Sequence, residues 1–285
     1  MQDHPLGLVA GGGQFPLLCA RAARRQGRGI VAIAHKGETD PLLSEEVDQI
    51  EWVYLGQLGK LIKTLKKAGA SEAIFAGSIT KTRIFKDVRP DLRAINLWQR
   101  LGNRLDDGIL RSIAAELEQE GIQILPSTIL LKELLIPSGV LTRCKPSKSQ
   151  WEDIHFGWEL AREIGRLDIG QCLVVKDRAV LAVEAIEGTD QTIRRGGQLG
   201  GSGAVVIKVC KPTQDTRFDL PSVGVGTIEQ IIQVKASVLA VEAGRTLFFD
   251  RDSTIDLANR SSIAIVGIDG DHTARHSRRS NYSGE

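Results

Sequence analysis

The side chains best suited to chemistry lie in residues 208–221, which read Lys-Val-Cys-Lys-Pro-Thr-Gln-Asp-Thr-Arg-Phe-Asp-Leu-Pro. Two carboxylates (Asp215 and Asp219), one guanidinium (Arg217) and two ammonium groups (Lys208 and Lys211) crowd into this stretch. It shows neither a 3.6-residue nor a two-residue apolar period, so a loop is expected. Pro212 and Pro221 bracket the charged groups and restrict the backbone on both sides. The apolar run 204–209 precedes the loop and reads as a strand. A charged loop at the end of a buried strand is positioned by the sheet, a common address for catalytic groups. The alternative is a surface loop whose Asp and Arg side chains form a solvated ion pair.

A second acidic cluster, residues 184–190 (Glu-Ala-Ile-Glu-Gly-Thr-Asp), also ends an apolar run. Glu184, Glu187 and Asp190, with the hydroxyl of Thr189, could bind a hard divalent cation. Thr189 and Asp190 could equally cap a helix running to Arg195. Near the start, Gly11-Gly12-Gly13-Gln14 joins an apolar strand to a helix with Pro16 in its first turn. Glycines let the backbone approach a ligand, and a helix start offers unpaired N–H groups to an anion. The pattern is neither GxGxxG nor GxxxxGK[ST], and a tight turn without a ligand would read the same way. Gly77-Ser78 follows another short strand. Residues 83–104 are basic, with Arg83, Lys86, Arg89, Arg93, Arg100 and Arg104. Arg100 and Arg104 could face a phosphate. Asp106 and Asp107 read as helix-capping residues. His35 ends a strand and reads as a loop residue.

The elements that must position these groups alternate. Strands are expected at 6–10, 29–35, 51–54 and 72–76, with helices at 15–26 and 58–68 between them. That alternation predicts a Rossmann-like parallel sheet with crossover helices in domain 1–140. A further helix is expected at 109–119. The domain junction is placed in 139–150, a stretch of Gly, Pro, Lys and Ser. A second, catalytic α/β domain, 146–268, would hold a helix at 149–165 and a hairpin of strands 172–176 and 180–185. Strands at 204–209, 238–241, 246–249 and 263–268 follow, with helices at 227–236 and 252–259. Glycine-rich residues 196–203 read as a flexible loop or lid. The tail, 269–285, reads as disordered. The ligand is expected in the crevice between the two domains.

Whole-chain properties exclude several classes. The 285 residues carry a net charge of +2 and only 5% aromatics, so neither a polybasic nor a base-stacking nucleic-acid binder is expected. Hydrophobic content of 42% and charged content of 25% are those of an ordinary soluble protein. Cys19, Cys144, Cys172 and Cys210 are isolated, without zinc-ligand spacing or a disulfide framework, which fits a reducing cytosol. No signal peptide or membrane-length apolar run is visible. GxSxG is absent, so no serine triad is expected. Acidic clusters, glycine turns and scattered Lys and Arg together suggest metal-assisted phosphoryl transfer or hydrolysis. A nucleotide-sugar or lipid-phosphate binding protein without turnover and a Rossmann-like oxidoreductase are the alternatives.

Several stretches carry a resemblance. They are residues 6–13, Leu-Gly-Leu-Val-Ala-Gly-Gly-Gly; 55–60, Leu-Gly-Gln-Leu-Gly-Lys; Asp106-Asp107; 165–171, Gly-Arg-Leu-Asp-Ile-Gly-Gln; 181–190; 213–221; and 241–245, Val-Glu-Ala-Gly-Arg. In combination they resemble the UDP-2,3-diacylglucosamine pyrophosphatase family of lipid A biosynthesis, the type unrelated to calcineurin-like phosphoesterases. The resemblance covers about residues 6–268. It implies a cytoplasmic, magnesium-dependent hydrolase that yields UMP and 2,3-diacylglucosamine 1-phosphate (lipid X). It implies at most transient contact with the inner membrane and leaves a homodimer open. The family's essential aspartate, in the motif ending Asp-Leu-Pro, corresponds to Asp219. Glu187, Asp190, Asp215 and Asp219 are expected around the metal. Gly11, Gly12, Gly13, Gln14, Gly77, Ser78, Asp107, Gln171, Thr189, Lys208, Lys211 and Arg217 are expected to face the substrate.

Overall fold

A computed structural model describes residues 4–79, 88–101, 106–212 and 214–269. Arg83, Lys86, Arg104, Thr213 and residues 270–285 of the expected disordered tail lie outside them. The chain forms two compact units, one of residues 1–132 with 215–219 and one of residues 133–214 with 220–285.

In the first unit, β1 (Leu6–Ala10), β2 (Ile30–His35), β3 (Gln49–Val53), β4 (Glu72–Ala76) and β5 (Gln123–Ile124) form one sheet. All neighbours are parallel, in the order β3-β2-β1-β4-β5. The order reverses between β1 and β4, so their two loops meet at the carboxyl edge. Strands buried on both faces need apolar side chains in either phase, and β1 is buried at all five positions. One face, with Val9, Val31, Ile33, Val53 and Phe75, packs on Leu58, Leu61, Ile62 and Leu65 of α2 (Leu58–Lys67). These helical residues recur at three- and four-residue spacing, and the lysines between them face outward. α1 (Phe15–Arg25) links β1 to β2 and buries Cys19, Ala20 and Ala23. The basic stretch contains α3 (Leu92–Leu101), which the sequence reading did not place. Arg93 there pairs at 2.9 Å with Glu116 of α4 (Asp106–Gln119) and at 2.7 Å with Glu120, just past its end.

In the second unit, β6 (Gly139–Val140), β7 (Cys172–Lys176), β8 (Ala179–Val183), β9 (Val205–Lys208), β11 (Val238–Glu242) and β13 (Ala264–Ile268) form a mixed sheet ordered β6-β13-β11-β9-β7-β8. β9, β11 and β13 are parallel, whereas β7 runs antiparallel to β9 and to β8. β10 (Ser222–Val223) and β12 (Leu247–Phe248) form a separate parallel pair. α5 (Lys148–Arg166) starts on a Ser147–Gln150 capping box and buries Trp158 against one sheet face. α6 (Thr189–Gly200) and α7 (Val225–Gln233) bury Ile193, Ile228 and Ile231 against the other.

Two sequence expectations differ. Residues 196–203 are not a free loop, because α6 runs through Gly200. A β-carbon on Gly196 would lie 2.5 Å from Val174 Cβ, and one on Gly197 2.2 Å from Val234 Cβ. These glycines therefore let the helix approach its neighbours closely. The chain also enters the second unit at Glu133, ahead of the stretch read as a junction. Ile136 N donates to Thr246 O, and Gly139–Val140 joins the sheet beside β13.

Candidate active site

In the second unit, β9 delivers Lys208 to a cavity of about 410 Å³. Glu187, Gly188, Thr189, Asp190, Ser222 and Thr227 complete its lining. Lys208 is 7% exposed, and its Nζ donates to Ser222 O at 2.8 Å. An ammonium carries three donors, so two remain for an anion. Gly188 starts α6 at φ 82°, a backbone state open to glycine, and no side chain caps that end. Gly224 starts α7, again without a side-chain cap, and places Thr227 in its first turn. Two helix N-termini and a buried ammonium make this a cavity for negative charge.

The acids of residues 184–190 have separated roles. Glu184 is buried and accepts from Gln171 N at 3.2 Å and from the Thr189 hydroxyl at 3.0 Å. Glu187 accepts from Arg195 at 2.6 Å and from Ala185 N at 3.1 Å. Its own backbone N–H and then Arg195 hold its carboxyl below the usual range. Asp190 stands in the first turn of α6 and makes no side-chain hydrogen bond or ion pair among the described residues. Thr189 thus serves Glu184 while lining the cavity. Gln171 sits beside that knot, and its Oε1 is buried without a hydrogen-bond partner among the described residues. Lys211 Nζ meets Asp168 Oδ1 at 2.6 Å.

Residues 215–219 belong to the first unit. Their turn closes through Phe218 N and Asp219 N, which donate to Asp215 O at 3.2 and 3.0 Å. The Phe218 ring lies 5.6 Å from that of Phe75, and Arg217 O accepts from Ser127 N at 2.7 Å. Arg217 grips Asp215 through Nε at 3.0 Å and Nη2 at 2.8 Å, and reaches Glu118 at 2.7 Å. That hydrogen bonding holds the Asp215 carboxyl below its ordinary range. Asp215 and Arg217 therefore form the ion pair weighed against a catalytic role in the sequence reading. Asp219 is part of the same turn and is partly buried.

The glycine turns of the first unit are explained by each other. A β-carbon on Gly11 would lie 2.6 Å from Ser78 O, and one on Gly77 2.5 Å from Gly12 O. Gly12 and Ser78 form a β-bridge, which joins the loops after β1 and β4. Gly13 and Gln14 are exposed beyond that bridge. Gly13 lines a second cavity of about 640 Å³, with Lys36, Gly37, Glu38, Thr39, Asp40, Pro41 and Trp52. The His35 Nδ1 lies 2.9 Å from Ala10 O, and burial pulls the imidazole below its ordinary value.

Of the expected metal ligands, Glu187 and Asp190 share the second-unit cavity, whereas Asp215 and Asp219 are in the first unit. No group of three or more His, Cys, Asp or Glu suited to a metal is found among the described residues. Asp107 is the second residue of α4, and its side chain lies outside the described residues. Sequence reasoning missed Ser222, Thr227, Lys36 and Trp52 as cavity residues. Ser222 and Thr227 flank Gly224 and Gly226, a spacing that could have signalled a helix start. Trp52 carried no signal, since a strand aromatic reads as core. Cys19, Cys172 and Cys210 are buried, and burial pushes the Cys19 thiol up to about 12, so it is no nucleophile at neutral pH.

Residues 5–134 match the LpxI N-terminal domain, and residues 137–266 match the LpxI C-terminal domain. The chain belongs to the LpxI family. It is 35% identical over 275 residues to the UDP-2,3-diacylglucosamine pyrophosphatase LpxI of Caulobacter vibrioides, covering 93% of this chain and 97% of that protein. Partial structural likeness extends to the biotin carboxylase domain of a thermophilic 2-oxoglutarate carboxylase, with 17% identity, 59% of this chain, 34% of that chain and a TM-score of 0.27. N5-carboxyaminoimidazole ribonucleotide synthetase gives 14% identity, 66% and 41% coverage, and a TM-score of 0.27. Such scores carry no argument about this chain. Among the described residues, no helix is long and apolar enough to cross a membrane.

Proposed function

We infer that the chain hydrolyses the pyrophosphate bond of UDP-2,3-diacylglucosamine, releasing UMP and 2,3-diacylglucosamine 1-phosphate. Family membership supports the substrate, and the second-unit cavity supports the chemistry. The observation that carries the reading is Lys208, a buried ammonium set between two uncapped helix N-termini, with Asp190 beside it. Such an arrangement binds phosphate oxygens and offsets the charge that grows on the leaving phosphate.

Magnesium is part of the proposal. Its hard-oxygen preference fits a site of one or two carboxylates completed by substrate phosphate oxygens, so a cluster of three acids is not required. Asp190 and Glu187 would hold it in this cavity. When bound, the ion would neutralise phosphate charge and lower the pKa of a coordinated water. Asp219 is proposed to orient the attacking water or to ligate the ion. The water oxygen bonds to one phosphorus, the bridging P–O bond breaks, and the departing phosphate keeps the bridging oxygen. Gln171, Lys211, Gly13 and Gln14 are proposed substrate contacts, whereas Gly11, Gly12, Gly77 and Ser78 build the paired turns beside Gly13. Cytoplasmic residence follows from the same reading.

Mass spectrometry of the purified chain incubated with UDP-2,3-diacylglucosamine and magnesium tests this. UMP and lipid X should appear in equal amounts. Saturable binding without product would instead support a nucleotide-sugar binding protein. Asp219→Ala should lower the rate by ~10²-fold or more, the usual contribution of an acid–base group. A variant with over roughly a tenth of the parent rate would exclude Asp219 as essential.

A further inference from the structure

Glu184 is a buried carboxylate, and the chemistry assigned above makes no use of it. It stands one residue past the Leu173–Val183 pair of β7 and β8, and its N–H donates to Cys172 O at 2.9 Å. Cys172 in turn pairs with Lys208 across β7 and β9. Residues opposite one another on neighbouring strands share a sheet face. Glu184, Cys172 and Lys208 therefore form one row, with the cavity lysine at its end. Two strand spacings, roughly 10 Å, separate the Glu184 and Lys208 backbones, so the row is not an ion pair. A buried carboxylate is costly unless hydrogen bonds offset its lost hydration. Here they come from Gln171 N at 3.2 Å and from the Thr189 hydroxyl at 3.0 Å.

The polarity of those bonds is fixed. A carboxylate only accepts, a backbone N–H only donates, and a hydroxyl carries one proton and two lone pairs. The Thr189 proton is thus committed to Glu184 Oε1. What Thr189 Oγ1 has left for any other partner is lone pairs. Thr189 lines the second-unit cavity as the first residue of α6, immediately before Asp190. A phosphate oxygen is itself an acceptor and finds no partner in such a hydroxyl. A hard cation does.

We propose that Glu184 is a positioning residue: it turns the Thr189 hydroxyl so that its lone pairs face the cavity, where Oγ1 joins Asp190 as an oxygen ligand for the divalent cation. The proposal rests on the hydrolase reading, since it concerns the ion invoked there. It divides the cavity by polarity, with the donors of Lys208 for phosphate and the acceptors of Thr189 and Asp190 for the metal.

Glu184→Gln tests the polarity without emptying the position. Gln171 N–H can only donate, so the carboxamide oxygen must face it and the NH₂ group must face Thr189. The hydroxyl then accepts from that NH₂, and its proton is released toward the cavity. The readout is Mn²⁺ affinity of the full chain, followed by loss of the free-ion electron paramagnetic resonance signal. Glu184→Gln should weaken Mn²⁺ binding about tenfold or more, the scale of losing a group that orients a metal ligand. Thr189→Val, which removes the oxygen, should weaken it at least as much, and Thr189→Ser should stay close to the parent. The double variant Glu184→Gln, Thr189→Val should bind no more weakly than Thr189→Val alone, because Glu184 acts only through Thr189. Melting temperatures identify any variant that has lost its fold. Parent-like affinity in a folded Glu184→Gln or Thr189→Val protein, additive losses in the double variant, or a parent that binds no Mn²⁺ would each overturn the proposal. Incubation of the parent with UDP-2,3-diacylglucosamine separates the two failures. Product release with Mn²⁺ affinity indifferent to Glu184→Gln sinks this assignment alone, whereas absent product sinks the hydrolase reading.

Discussion

At the scale of single residues, the useful distinction is between charges that are spent and charges that are available. Arg217 and Asp215 neutralise one another, Arg195 holds Glu187, and Asp168 holds Lys211. Lys208 and Asp190 carry no such ion pair among the described residues. The Asp215 carboxyl has a folded-state pKa below its unfolded one, so its contribution is complete above the ordinary carboxylate pKa. That contribution fades as pH falls through the folded value. Asp215→Asn should therefore lower the melting temperature at pH 7, with the gap between variant and parent narrowing below about pH 4. A gap independent of pH would show that the pair does not carry the effect. Asp190→Asn should raise the magnesium concentration needed for half-maximal rate by about tenfold or more, the range seen when a metal site loses an oxygen partner. An unchanged metal requirement would remove Asp190 from the site.

At the scale of elements, the sequence was most readable where period and punctuation agree. Residues 6–10 and 72–76 are strands at the expected bounds, because short apolar runs end at glycine turns. α2 was legible from its apolar stripe and the Gly69 that follows. Glycine misled where its purpose was packing. Gly196 and Gly197 lie inside α6, and their missing side chains make room for Val174 and Val234. Gly197→Ala should cost about 1–3 kcal/mol through overpacking, measured by chemical denaturation. A flexible lid there would tolerate the change without loss. The acidic loop 184–190 was readable as a cluster but not as three separate roles. Those roles depend on Arg195, Gln171 and Thr189, which only the folded helix and hairpin bring to each carboxylate.

At the scale of the whole molecule, the two-part division was visible in the sequence, but the assignment of residues 215–219 was not. The stretch with the most chemistry leaves one unit and contributes its turn to the other through Phe218 and Ser127, contacts that no local pattern announces. Chelation by EDTA should stop product release by the intact chain, and added magnesium should restore it. Rates undiminished in EDTA would contradict the proposed ion. The central claim is that the diphosphate is held at the buried ammonium of the second unit. Lys208→Met keeps the length and packing of the side chain and removes only its charge and donors. Steady-state hydrolysis of UDP-2,3-diacylglucosamine by this variant is the most direct measurement: kcat/KM should fall by ~10²-fold or more with the melting temperature preserved, on the scale of removing one charge-stabilising donor. A folded Lys208→Met protein keeping over roughly a tenth of the parent kcat/KM would place the diphosphate elsewhere.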